Sequence, residues 1–102
     1  MAKNRDRESL IKLIVNTIVH EIVAEHTNRP ESRNFLNSEI IEYGNRALDF
    51  AKTHGWNNED RTYIEEESMK RIKEKLSLKY SDVKYSEQEV VKKLIKFLKE
   101  IL

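Results

Sequence analysis

The sequence predicts an all-α protein that folds as one four-helix bundle-like domain over residues 1–102. Only two glycines and one proline occur in the chain, so little material is present for tight turns and hairpins. Apolar residues recur at intervals of three and four in four separate stretches, which is the helical period. The content of 38% hydrophobic and 36% charged residues suits a small core with solvated outer faces, and a chain of this length holds one core.

Helix 1 is predicted over residues 6–25 and is more apolar than one buried helical face requires. Its stretch from Leu10 to Val23 covers an apolar arc of roughly 280° when residues are placed at 100° steps. A helix this apolar is either enclosed by its own chain or shared with a second chain. Burial of each exposed Ile, Val or Leu contributes about 1.5–3 kcal/mol, which would favour association. We therefore expect a homodimer whose interface consists of apolar residues of helix 1: Leu10, Ile11, Ile14, Ile18, Val19 and Ile22.

Helix 2 is predicted over residues 38–54, after a short helical turn over residues 31–36 that follows Pro30. Ser38 or the residue before it is expected to be the N-cap, and Gly55 a left-handed C-cap. Gly44 lies inside this helix, where glycine costs about 1 kcal/mol relative to alanine. A close crossing with another helix would explain it.

The corner after helix 2 contains the only tryptophan of the chain. Trp56 directly follows the predicted C-cap, and a residue there often packs back on the last helical turn. We expect Trp56 to seal the corner between helices 2 and 3 and to bind no ligand.

Helices 3 and 4 are predicted over residues 58–78 and 87–102. Helix 3 has the thinnest apolar stripe, so it should be the most exposed helix. Helix 4 begins with a capping box, Ser86 followed by Glu89 three residues later, and its apolar end at 101–102 is a second candidate interface. The connector is expected to be an extended loop or a short strand pair between helices 3 and 4, centred on Ser81 and Asp82.

No residue pattern points to a catalytic centre, a metal site or a cofactor. Cysteine is absent, which excludes disulfides and thiolate ligands. His20 and His26 are six residues apart, roughly 120° around a helix, whereas a helical zinc motif needs histidines four residues apart. His26 and His54 fall near predicted helix C-termini, where such side chains are favoured structurally.

Two further constellations match known sites only in part. Glu39 and Glu42, with acids at 65–67, resemble the magnesium site of all-α nucleotide pyrophosphohydrolases. That family has another acid three residues after the first on its second helix, where Ser68, Met69 and Lys70 stand here. The interval from Ala51 to Gly55 matches a helix-turn-helix, but the acid-rich helix after it would repel DNA phosphates. We expect no enzyme and no motif of this kind.

Charge is distributed unevenly along the chain. Residues 1–67 hold 9 basic and 13 acidic residues, whereas residues 68–102 hold 10 and 5. A second hypothesis follows, a nucleic-acid-binding accessory protein or a binder of an acidic protein that uses lysines of helices 3 and 4: Lys70, Lys73, Lys92, Lys96 and Lys99.

The leading hypothesis is a cytoplasmic association module without catalytic activity. Its expected partner is a second copy of itself, and polar residues that interrupt helix 1 leave no membrane-spanning segment.

Overall fold

The computed structural model describes residues 2–26 and 30–102. These residues form four helices, α1 (Ala2–His26), α2 (Pro30–Ala51), α3 (Asn58–Lys79) and α4 (Glu87–Ile101), and no strand. The predicted all-α, bundle-like fold is therefore confirmed. From the sequence, helix 1 is expected to end in the segment 26–30, because Pro30 disfavours helix at the residue before it; residues 27–29 of that segment lie outside the described residues.

Helix α1 lies at the centre of the bundle and contacts the other three helices, whereas α2 and α3 do not contact each other. This position explains the wide apolar arc of α1, because its side chains are buried against other helices on several sides. Ile14 and Ile18 at its middle have no exposed surface. The core of the protein is thus a single cluster built around α1.

The helices alternate in direction along the chain. Arg33 Nε donates to the Ala24 carbonyl at 3.3 Å, so α2 starts beside the end of α1 and returns along it. Asp60, in the first turn of α3, pairs with Arg7 at the start of α1, so α3 runs parallel to α1. Lys93 on α4 bonds to Glu25 near the end of α1, which makes α4 parallel to α2.

Helix α2 begins eight residues earlier than predicted, because Pro30 is its first residue and no break occurs at Ser38. Proline is well tolerated at a helix start, since its missing N–H has no partner there. The Ser38 hydroxyl donates to the Asn34 carbonyl at 3.2 Å within the helix, so Ser38 is not the predicted N-cap. Burial of Leu36 gives this added segment an apolar anchor.

The end of α2 also differs from the prediction. The helix ends at Ala51, and Gly55 does not take the left-handed conformation that was expected. Trp56 supplies the cap instead, because its indole Nε1 donates to the Ala51 carbonyl at 2.8 Å. Trp56 is buried in the core cluster, so its predicted role at this corner is confirmed.

The starts of α3 and α4 follow the sequence closely. Asn57 caps α3 in a full capping box with Asp60. Ser86 accepts a hydrogen bond from the Glu89 N–H at 3.1 Å, as predicted. The other hydrogen bond of the predicted box, from the Ser86 N–H to the Glu89 carboxylate, is replaced, because that carboxylate binds His26 of α1 at 3.0 Å.

The connector between α3 and α4 is a loop. Ser81 and Asp82 form a turn in which the Val83 N–H donates to the Tyr80 carbonyl at 2.9 Å. The alternative prediction of a strand pair is therefore wrong. Tyr80, Val83 and Tyr85 pack against the core, and this packing explains the apolar residues that suggested strands.

Within the described ranges, every helix is too short or too polar to span a bilayer.

Candidate functional site

The residues predicted to form a dimer interface on helix 1 lie inside the single chain. All six are 0% exposed: Leu10, Ile11, Ile14, Ile18, Val19 and Ile22. Of the two explanations for the apolar helix, enclosure by its own chain is the one observed. A second chain would reach these residues only if the bundle opened.

The three histidines have separate structural partners. His20 stacks on Tyr43 with ring centroids 5.5 Å apart, whereas His26 binds Glu89 on α4. His54 Nε2 lies 2.6 Å from an Asp6 oxygen. In the part of the chain that the structure describes, no group of three or more His, Cys, Asp or Glu side chains is arranged to hold a metal ion.

The two acidic stretches that resemble a magnesium site are not brought together. Glu39 and Glu42 lie on α2, and the acids at 65–67 lie on α3, which does not contact α2. Glu42 pairs with Arg46 on its own helix at 3.2 Å, and Glu67 with Arg71 at 3.0 Å. These carboxylates belong to solvated ion pairs.

A polar network joins the start of α1 to α3. Asp60 is buried and accepts from Lys3 at 2.8 Å and Arg7 at 3.1 Å, and these cations hold its pKa below the usual value. Arg71 binds both oxygens of Glu8, which likewise lowers the pKa of that carboxyl. Sequence reasoning placed Asp60 in the first turn of helix 3 but missed these tertiary partners. The network fastens two helices, and each of its charged side chains has a partner of opposite charge within the chain.

The lysines of the second hypothesis lie on neighbouring helices but do not form one patch. Lys73 is bonded to Glu87, whose pKa it lowers. Lys99 lines a cleft with Glu65 on the α3 side of α4. Lys96 lines a different cleft on the α2 side. Lys70 and Lys92 are exposed.

An open groove lies between α2 and α4, and we call it the α2–α4 groove. It consists of two clefts of about 600 and 280 Å³ that share Glu21 and Ile40. The groove is open because α2 and α4 touch little along their length. Its floor is formed by residues of α1: Thr17, Glu21 and Ala24.

The walls of the α2–α4 groove are mostly apolar at one end. The apolar part of those walls consists of Ile40, Ile41, Gly44 and Leu48 from α2 with Phe97 and Ile101 from α4, and the polar Asn45 and Glu100 complete them. Ile41 is 65% exposed, although the rest of the chain has buried an extensive core. A methyl group added at Gly44 would stand 3.9 Å from both Phe97 and Thr17, so no close helix crossing requires this glycine.

The other end of the α2–α4 groove is charged. Glu21 is half-buried there, and desolvation raises the pKa of its carboxyl despite the nearby Lys93. Lys93 binds Glu25 instead, and no hydrogen bond to the Glu21 carboxylate occurs among the described residues. The sequence offered little indication of this groove, because the groove exists only where α2 and α4 lie apart, and residue patterns do not specify the distance between two helices.

Comparison with protein-family models, curated proteins and solved structures finds no match.

Proposed function

We propose that the protein is a small helical association module without catalytic activity, and that it forms a homodimer. The observation that carries this proposal is the open, partly apolar α2–α4 groove. Ile41 at its edge is 65% exposed, and Leu48, Phe97 and Ile101 are only partly buried. Covering such side chains contributes about 1.5–3 kcal/mol for each one that becomes fully buried. Association is the simplest use of this surface.

The proposed interface differs from the one expected on helix 1. Fully enclosed side chains such as Ile18 hold the monomer together, so they are not free to bind a second chain. The α2–α4 groove includes Ile101, which belongs to the second candidate interface named from the sequence.

Sedimentation equilibrium at protein concentrations from about 1 to about 200 µM tests the proposal. A dimer with an interface of modest size dissociates within this range. We expect a reversible monomer–dimer equilibrium. Ile18→Glu should unfold the chain, as judged by circular dichroism, because it places a charge in the core. A wild-type protein that stays monomeric over the whole range would refute the proposal.

A second candidate function, nucleic-acid binding, is favoured by one observation. Lys92, Lys96 and Lys99 are exposed on α4, and among the described residues they form no ion pair. Three phosphate contacts would give a slope of roughly −3 in log affinity against log salt. Measured binding of labelled RNA and DNA at low salt tests this. No binding at about 20 mM salt would exclude it.

The cytoplasmic location expected from the sequence is part of the leading proposal. Fractionation of cells that express the protein tests it directly.

A further inference from the structure

Basic side chains surround Asn16 on the side of α1 that faces outward between α2 and α3. This side is open because α2 and α3 do not contact each other. Lys12 lies one turn before Asn16 and therefore projects from the same side of α1. From α3, Lys75 Nζ reaches across and donates to Asn16 Oδ1 at 2.5 Å, and Lys79 follows one turn later. We call Lys12, Asn16, Lys75 and Lys79 the Asn16 cluster.

The ammonium group of Lys75 is partly buried and has no counter-charge. In the part of the chain that the structure describes, its one hydrogen-bond partner is the neutral side chain of Asn16. Burial lowers the pKa of the Lys75 amine, repulsion from Lys79 lowers it further, and no carboxylate among the described residues offsets the two effects. A partly buried charge without a counter-charge costs free energy. An anion bound beside this ammonium would supply the missing charge.

The rest of the Asn16 cluster is also free to bind an anion. Lys12 and Lys79 are exposed, and within the described ranges neither forms an ion pair. Two carboxylates from the same helix pair, those of Glu8 and Glu67, are both bound by Arg71. The cluster thus combines three positive charges with a side-chain amide whose N–H groups have no partner among the described residues.

We propose that the Asn16 cluster binds a phosphate group, carried either by inorganic phosphate or by a phosphate monoester of a small molecule. Two of the three N–H donors of Lys75 remain for the phosphate oxygens, together with the side-chain N–H groups of Asn16. Lys12 and Lys79 add charge at the two ends of the site. A phosphate dianion fits this set better than a carboxylate, because it has more acceptor oxygens and up to twice the charge.

A titration with inorganic phosphate, followed by NMR at pH 7 and at constant ionic strength kept with sodium chloride, tests the proposal directly. We expect saturable shifts of the side-chain amide signals of Asn16, with a dissociation constant of about 1 mM, as for a small ligand held by a few hydrogen bonds. Shifts that rise without saturation up to about 20 mM phosphate would overturn the proposal.

Asn16→Asp is the sharpest variant, because it gives Lys75 a carboxylate of the same shape as the amide. The counter-charge is then part of the chain, so the dissociation constant for phosphate should rise about tenfold or more. The variant should fold, since it adds an ion pair and changes no volume. Asn58→Asp makes the same change of charge at an exposed position about 25 Å away along α3, and it should change the constant less than about twofold. Equal effects of the two variants would overturn the proposal.

Lys75→Met removes the charge and keeps an unbranched side chain. It should raise the dissociation constant for phosphate about tenfold or more, whereas without phosphate its Tm should equal or exceed that of the wild type, because a desolvated charge is gone. Lys84→Met is the matched control, since Lys84 is exposed in the loop between α3 and α4, and it should change the constant less than about twofold. Equal weakening by both substitutions would indicate diffuse attraction and would contradict a site at Lys75.

A second titration, with glycerol phosphate in place of inorganic phosphate, distinguishes the two sources of the phosphate group. Binding as tight as that of inorganic phosphate supports a site for monoesters, and binding about tenfold weaker supports a site for the free anion. Both results depend on saturable binding that Asn16→Asp removes. The Asn16 cluster lies outside the α2–α4 groove, so this inference goes beyond the proposed homodimer and is tested independently of it.

Discussion

Gly44→Ala should stabilise the protein, and the structure permits an estimate of how much. Gly44 lies within α2, where replacing glycine by alanine contributes about 1 kcal/mol through helix propensity. The added methyl group would make ordinary contacts at 3.9 Å with Phe97 and Thr17, so no steric cost offsets this contribution. For a chain of 102 residues the unfolding entropy is about 0.21 kcal/mol per degree, so the Tm should rise by about 5 °C.

Thermal and urea unfolding, monitored by circular dichroism at a concentration where the protein is monomeric, measures this change. Gly44→Leu is the comparison variant, since its larger side chain would press on Phe97, and it should gain less than alanine does or lose stability. Gly55→Ala should stabilise by only about half as much, because Gly55 lies outside the helices and only the unfolded chain is affected. A Gly44→Ala variant with unchanged or lowered stability would refute the reasoning, since it would mean that Phe97 or Thr17 lies closer to the added methyl group than 3.9 Å.

Three further substitutions probe polar groups. Ser68 is fully buried, and its hydroxyl has no hydrogen-bond partner among the described residues. Ser68→Ala should therefore raise the free energy of unfolding, measured in urea, by about 1 kcal/mol. A lower free energy of unfolding would indicate that the hydroxyl binds a water molecule or another partner. Glu21→Gln should raise the Tm at pH 7, because desolvation disfavours the charged carboxylate of the wild type. The difference in Tm between variant and wild type should shrink as pH falls through the raised pKa, because wild-type Glu21 then becomes protonated. A Tm difference that stays constant with pH would contradict this. Asp60→Asn should lower the Tm at pH 7 more than Glu59→Gln does, and the difference should disappear in acid. The folded-state pKa of Asp60 is lowered, so its contribution is present above the unfolded pKa and is lost as pH falls through the folded one.

Local signals in the sequence were reliable where a helix end depends on its own residues. The start of α4 was predicted because Ser86 satisfies a backbone N–H group only three residues away, and the start of α3 because acidic residues stand in its first turn. The packing of Trp56 against the end of α2 was predicted for the same local reason. The errors occurred where tertiary contacts override propensity. Pro30 and Ser38 indicated a break, but α2 continues through this segment alongside α1.

The sequence by itself determined that the chain is helical and that apolar residues extend around most of the circumference of α1. Periodicity specifies which side of a helix avoids water, because side-chain direction follows from residue number alone. It does not specify what covers that side. Only the tertiary structure decided that α1 is enclosed by its own chain and that α2 and α4 stand apart over Glu21. Interhelical distances depend on how all side chains of the core fit together, and that fit cannot be deduced from one helix at a time.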